Sequence, residues 1–67
     1  MIVLQIQLKA ARVNAGFTQK QAAKMLNLSK NTLSSYEAYK TKPDIETAIK
    51  IAELYKISIN DIIFFAQ

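Results

Sequence analysis

The stretch from Gly16 to Glu37 constrains the fold more than any other part of the chain. It contains two apolar-patterned segments, and each is preceded by a hydroxyl residue that can cap a helix. Thr18 precedes the first segment, and Gln21 three residues later completes a capping-box pattern. Ser29 precedes the second segment. The spacing therefore predicts two short helices joined by a tight corner, a helix-turn-helix unit over about residues 18–38.

Apolar periodicity predicts three further helices around this unit. The first runs from about Leu4 to Ala15, and Gly16 suits the left-handed position that closes it. Asp44 can cap the fourth, and a short last helix begins near Ser58. The predicted inward face of the fourth helix consists of Ile45, Ala48, Ile49, Ala52 and Leu54. These elements predict an all-α fold with five helices, in a chain that is long enough for one domain or part of one.

Each helix of the central unit has an apolar face that is predicted to point inward, and the second also has a polar outer face. Ala22, Met25 and Leu26 form the predicted inner face of the first, and Leu33 is the central apolar residue of the second. The corner between them holds Asn27, which tolerates positive φ better than most residues. The outer face of the second helix is polar and mostly short, with Lys30, Asn31, Ser34 and Ser35. A polar helix held at an angle on a scaffold helix is how small proteins reach the DNA major groove.

Composition narrows the possible classes of function. The 67 residues include no cysteine and no histidine, which excludes disulfides and the usual zinc sites, and we expect neither metal nor cofactor. The net charge of +4 favours an anionic partner such as nucleic acid, although a solvated basic surface explains it equally well. The carboxylates are scattered and no serine has a base beside it in the pattern, so we expect a non-enzyme.

The chain also lacks a targeting or membrane pattern. The run from Met1 to Leu4 is too short for a secretory signal, and no apolar stretch reaches the roughly 18 residues of a membrane span. We therefore expect a soluble protein of the cytoplasm, with no small-molecule ligand evident in the sequence.

Over about Leu4 to Phe64 the chain resembles the Cro and phage-repressor family of helix-turn-helix proteins, the lambda-repressor-like fold. The resemblance rests on Gly16-Phe17-Thr18-Gln19, Leu26-Asn27-Leu28-Ser29, Asn31-Thr32-Leu33-Ser34, and the segment from Ile57 to Ile62. It implies a compact five-helix bundle that forms one domain over residues 4–64. It also implies a DNA-binding transcriptional regulator, a repressor from a phage or mobile element in a bacterial cell. It also implies a homodimer on an inverted-repeat operator, with the helix over 29–38 in the major groove. The chain fits a whole Cro-like protein and equally the N-terminal domain of a longer repressor.

The resemblance also implies roles for particular residues. Base-reading positions correspond to Lys30, Asn31 and Ser35, and side-chain chemistry agrees because Asn pairs with adenine and Lys with guanine. Arg12 and Glu37 correspond to a structural salt bridge, which we expect to be partly buried. The phosphate contacts, some implied by the resemblance and some suggested by charge and polarity, are Gln19, Lys20, Ser34, Tyr39, Lys40 and Lys42.

Three corners depart from the family pattern. Ala38-Tyr39 stands where the family commonly has Asn-Gly, and Asn27 and Lys56 replace common glycines. The chain also ends on an unusually apolar run. We expect some of its side chains to pack inward and some to form a dimer interface with a second subunit, although completion of the core by the whole run is equally open. This run is Ile62, Ile63, Phe64 and Phe65. An alternative function, a protein-interaction module acting as an antirepressor or antitoxin, would use the same run as its contact.

Overall fold

The computed structural model describes residues 5–64. Its elements in chain order are β1 (Ile6–Gln7), α1 (Leu8–Asn14), α2 (Gln19–Met25), α3 (Lys30–Glu37), α4 (Ile45–Tyr55), a 3-10 turn (Ile59–Asp61) and β2 (Ile62–Ile63). The two strands pair in parallel, with Ile6 opposite Ile62 and Gln7 opposite Ile63. This pairing joins the two ends of the described chain beside the helices.

The strand pair corrects the expectation of an all-α, five-helix bundle. Residues 5–64 form four α-helices, and α1 begins at Leu8 instead of about Leu4, which lies outside the described residues. The expected last helix is a single 3-10 turn, capped where the Asn60 amide donates to the Ser58 hydroxyl at 3.3 Å. The following Ile62 and Ile63 are β-branched, which favours extended backbone over another helical turn.

The predicted starts of α2, α3 and α4 are confirmed by their caps. Thr18 accepts a hydrogen bond from the Gln21 amide at 3.1 Å, and the Gln21 side chain accepts one from the Thr18 amide at 2.9 Å. The Ser29 hydroxyl accepts from the Thr32 amide at 3.1 Å. Asp44 accepts from the Thr47 amide at 2.8 Å. Hydrogen bonding from Thr47 holds the pKa of Asp44 below its ordinary value.

The core is built from one large side chain on each of three helices. Leu8 of α1, Leu33 of α3 and Ile51 of α4 are fully buried. Small residues on α2 allow the close approach of α3, since both Ala22 and Ala23 are buried. The rest of the buried cluster includes Ala11, Leu26, Ala48, Ala52, Tyr55, Ile62 and Phe64.

The buried face of α4 differs from the predicted one. It consists of Ala48, Ile51, Ala52 and Tyr55, whereas Ile49 is 46% exposed. Successive residues of an α-helix are about 100° apart, so Ile49 lies about 200° around the helix from Ile51. Two further residues predicted to face inward are exposed, namely Ile45 at 71% and Met25 at 63%. The predicted face of α4 was wrong at Ile45 and Ile49 because several overlapping stripes of that helix are apolar. Met25 is the last residue of α2, and its side chain lies outside the core.

Three corners place a residue other than glycine in the left-handed region. The φ angle is 59° at Asn27, 58° at Tyr39 and 55° at Lys56. The expectation of a positive φ at Asn27 is confirmed. Tyr39 brings a side chain that glycine lacks, and its hydroxyl donates to the Ile63 carbonyl at 3.0 Å and accepts from the Leu8 amide at 3.3 Å. Tyr39 thereby ties the loop after α3 to the start of α1 and to β2.

Candidate nucleic-acid interface

The outward face of α3 is polar, as the sequence predicts. Lys30, Asn31 and Ser34 are exposed and Ser35 is half-buried, while Leu33 on the opposite face is fully buried. Asn31 and Ser35 are four residues apart and therefore lie one turn apart on the same face. No apolar side chain interrupts this face, so short polar groups can approach a surface closely.

The orientation of α3 is fixed by an ion pair. The Nε atom of Arg12 donates to Oε2 of Glu37 at 2.6 Å, and Nη2 donates to Oε1 at 3.3 Å. The remaining Nη1 donates to the Phe17 carbonyl at 2.8 Å. The two charged side chains are only 9% and 4% exposed. This arrangement joins α1, the corner before α2 and the end of α3, at the two positions where the sequence predicts a salt bridge.

Gln19 belongs to the same network. Its Nε2 atom donates to Oε1 of Glu37 at 3.0 Å. A side-chain amide nitrogen carries two hydrogens, so one donor is held by Glu37 and a second remains. Glu37 therefore sets the orientation of the first residue of α2 relative to α3.

The hydroxyl of Tyr39 is bonded within the domain. The two hydrogen bonds of its hydroxyl with the Leu8 amide and the Ile63 carbonyl use its proton inside the domain. These bonds give Tyr39 a structural role, and its phosphate contact stays a prediction. The same loop does carry Lys40 and Lys42 at exposed positions.

A basic cleft lies between the end of α1 and the start of α2, and we call it the α1–α2 cleft. It is an open depression of about 610 Å³. Its lining includes Lys9 of α1, Lys20 of α2, Lys30 of α3 and the corner residues Gly16, Phe17 and Thr18. Lys9 is not among the binding residues predicted from the sequence. The available signal was its spacing, because Lys9 is three residues before Arg12 and so shares the face of α1 that meets α2.

The apolar run at the end of the chain is used mainly inside the domain. Ile62 is 4% exposed and Phe64 is 8% exposed, and both belong to the core. These two residues are therefore among those of the run that pack inward, and their burial leaves them little surface to offer a second subunit. Ile63 is half-buried, and Phe65 lies outside the described residues.

Tyr55 is buried beneath the ion pair. Its hydroxyl has no hydrogen-bond partner within residues 5–64, and its ring lies 6.2 Å from that of Phe17 between centroids. Burial raises the pKa of Tyr55 to about 12, and the charge of Glu37 adds to this effect while Arg12 opposes it. The hydroxyl is therefore a buried, protonated group without a hydrogen-bond partner in the described residues.

The described part of the chain offers little for other classes of site. Within residues 5–64, no three His, Cys, Asp or Glu side chains are grouped so that they could hold a metal ion. The helices of the same range are all too short or too polar to cross a membrane.

The fold and the α2–α3 unit agree with a known family. Residues 8–62 match the helix-turn-helix family HTH_3, and the chain belongs to this family. It is similar to the HTH-type transcriptional regulator ImmR of Bacillus subtilis (strain 168), with 48% identity over 52 residues, which is 78% of this chain and 41% of that protein. It is also similar to the uncharacterized HTH-type transcriptional regulator MJ0272 of Methanocaldococcus jannaschii, with 34% identity over 59 residues, 88% of this chain and 89% of that protein. No solved structure matches the chain.

The match to ImmR covers most of this chain but less than half of ImmR. The chain spans about two fifths of the length of that relative. The similarity therefore concerns the helix-turn-helix domain.

Proposed function

We propose that this protein is a sequence-specific DNA-binding transcriptional regulator that places α3 in the major groove. The observation that carries this proposal is the uninterrupted polar face of α3, held against α1 by the buried pair of Arg12 and Glu37. The names of the two relatives support it, because both are called transcriptional regulators. The net charge of +4 also favours a polyanion.

Sequence is read in this proposal by the first turn of α3. Asn31 can donate to N7 and accept from N6 of adenine in a bidentate contact, and Lys30 can donate to guanine. Ser35 lies one turn further on and is half-buried, so it reaches only a base or phosphate that comes close. A good bidentate contact discriminates against a wrong base by about 1–3 kcal/mol, which makes Asn31 the main determinant of specificity.

Affinity in this proposal comes from phosphates around α3. Lys40 and Lys42 are exposed in the loop after α3, and Ser34 is exposed on α3 itself. Gln19 has one amide hydrogen left after its bond to Glu37, which can bind phosphate in a fixed direction. Lys20 follows it on α2. Such contacts release counterions, so binding should weaken steeply as the salt concentration rises.

We further propose that the protein acts as a homodimer on an inverted repeat. One short helix reads too few base pairs for a specific site, and half-sites about 10 base pairs apart suit two copies. Burial of Ile62 and Phe64 directs attention to another surface for the second copy. Ile45 and Ile49 are four residues apart and exposed on the same side of α4. More specifically, we propose that the protein is a repressor encoded by a phage or mobile element and that it acts in the bacterial cytoplasm.

Selection from randomised duplex DNA at near-physiological salt tests the proposal. The expected result is an enriched inverted repeat with half-sites one helical turn apart. Weak, sequence-blind binding would overturn it and favour the protein-interaction module instead. The burial of Ile62 and Phe64 weighs against that alternative, because it removes most of the described part of the proposed contact surface.

A further inference from the structure

The α1–α2 cleft concentrates positive charge from three different helices. Lys9, Lys20 and Lys30 all line it, and each side chain is exposed. Arg12 also lines the cleft, but its charge is matched by Glu37 at 2.6 Å. No aspartate or glutamate is among the lining residues. The three ammonium groups therefore repel one another unless an anion lies between them.

The shape of the cleft indicates what kind of anion it would take. It is open to solvent, and its walls carry flexible lysine side chains in place of a rigid, enclosing set of donors. Such a surface suits a polyanion that passes through the cleft better than a small anion held within it. A nucleic-acid backbone is a polyanion of this kind.

The position of the cleft relative to α3 supports the same partner. Lys30 is the first residue of α3 and lines the cleft, whereas Lys40 lies beyond the other end of the helix. The eight residues of α3 span about 12 Å at 1.5 Å per residue. The major groove of B-DNA is also about 12 Å wide. Basic groups at the two ends of α3 can therefore reach the two strands that border the groove.

We propose that the α1–α2 cleft is a phosphate-binding site for the DNA backbone, in which Lys9 of α1 contacts phosphate together with Lys20 and Lys30. This inference rests on the proposed DNA-binding function and extends it to α1. Lys9 is the contact that the sequence alone does not predict. In this proposal Lys30 can contact a backbone phosphate as well as a guanine base.

The salt dependence of binding tests the inference. Affinity for a random-sequence duplex would be measured by fluorescence anisotropy between 50 and 200 mM salt for wild type, Lys9→Gln and Lys20→Gln. Loss of one phosphate contact should reduce the slope of log K against log salt by about 0.9. Lys24→Gln is the matched control, because Lys24 is exposed on α2 and does not line the cleft. Lys9→Arg should keep the wild-type slope.

The outcomes separate this inference from the proposed function. If Lys9→Gln reduces the slope and Lys24→Gln does not, the cleft binds backbone phosphate. If wild type binds DNA but Lys9→Gln behaves as Lys24→Gln does, the cleft assignment is overturned and the DNA-binding function stands. If wild type binds no DNA, both proposals are overturned.

Discussion

The side-chain amide of Gln19 donates a hydrogen bond of 3.0 Å to the carboxylate of Glu37. The same carboxylate accepts from Arg12, so a single acidic residue orients side chains of both α1 and α2. Glu37 is the last residue of α3, and its side chain is 4% exposed. The residues proposed to bind DNA thus depend on a buried charge that cannot itself touch DNA.

Glu37→Gln should lower the free energy of unfolding by about 3–5 kcal/mol, because it leaves the Arg12 guanidinium buried without a counter-charge. Urea denaturation followed by circular dichroism measures this loss. The free energy of unfolding of a domain of this size is small, so a loss of this magnitude should leave the variant largely unfolded at 37 °C.

The double variant Arg12→Met with Glu37→Leu is the control for that prediction. Apolar side chains of similar volume often replace a buried ion pair without loss, so the double variant should be more stable than Glu37→Gln alone. A double variant at least as unstable as the single one would show that the pair does more than neutralise its own charges. The double variant should also bind DNA less tightly than wild type, because the side chain of Gln19 loses Glu37 as its hydrogen-bond acceptor.

Tyr55→Phe should leave stability unchanged or raise it by up to about 1–3 kcal/mol, since it removes a buried hydroxyl without a partner in the described residues. Its effect should depend on pH. The folded protein holds the pKa of Tyr55 at about 12, above its ordinary value of 10.0. A raised pKa gives stability that is complete below pH 10 and is lost as the pH rises through the folded value.

Thermal melts of wild type and Tyr55→Phe between pH 9 and 12 check this sign. The wild type should lose stability faster than the variant above pH 10, because the Tyr55 hydroxyl ionises in the unfolded chain and must take its proton back on folding, whereas phenylalanine has no such group. The lysines titrate in both proteins, so the difference between the two curves isolates Tyr55. Parallel curves would contradict the buried, unsatisfied hydroxyl.

Lys56→Gly should raise the free energy of unfolding by about 1 kcal/mol, because glycine adopts the left-handed conformation at φ 55° without the strain of a Cβ atom. Lys50→Gly is the matched control, since Lys50 is an exposed lysine within α4. Glycine inside a helix costs about 1 kcal/mol, so the control should be destabilised. Two chemically identical substitutions, six residues apart, should have opposite signs in urea denaturation.

Tyr39→Phe separates a structural role from a phosphate contact. Removing the hydroxyl leaves the Leu8 amide and the Ile63 carbonyl without this partner, so stability should fall by about 1–2 kcal/mol. DNA affinity of the folded variant should match wild type at every salt concentration. A reduced salt slope with unchanged stability would return Tyr39 to the phosphate-binding set.

The helix starts were predictable from sequence because the interactions that set them are local. Thr18, Ser29 and Asp44 each accept a hydrogen bond from an amide three residues ahead, and that spacing is visible in the sequence. The strand pair was not predictable in the same way. Ile6 and Ile62 lie at opposite ends of the chain and meet only because the helices between them fold.

The proposed binding surface was predictable from the sequence only in part. Asn31 and Ser35 follow from the periodicity of one helix. The cleft that contains Lys9 depends on the angle between α1 and α2, and no spacing within the sequence encodes that angle. The wrong face of α4 has a related cause. Ile45, Ile49 and Ile51 are equally apolar in sequence, and only the packing of α4 against the other helices determines that Ile51 is the buried one.

Asn31→Ala should reduce specificity without unfolding the domain. Asn31 is exposed, so the change in stability should stay within about 0.5 kcal/mol. The binding free energy for the selected site should weaken by about 1–3 kcal/mol, because one bidentate contact to adenine is lost. The affinity for a random duplex should stay near that of wild type. Repeating the selection with the variant should show relaxed preference at one base pair of each half-site.

Lys40→Gln gives the opposite pattern and serves as the comparison. Phosphates carry no direct sequence information, so this variant should weaken binding equally for selected and random duplexes and lower the salt slope by about 0.9. If Asn31→Ala also weakens both duplexes equally, Asn31 contacts backbone and sequence must be read elsewhere on α3. Ser35 and Lys30 would then be the remaining base-reading positions, and the same pair of measurements on Ser35→Ala and Lys30→Gln would decide between them.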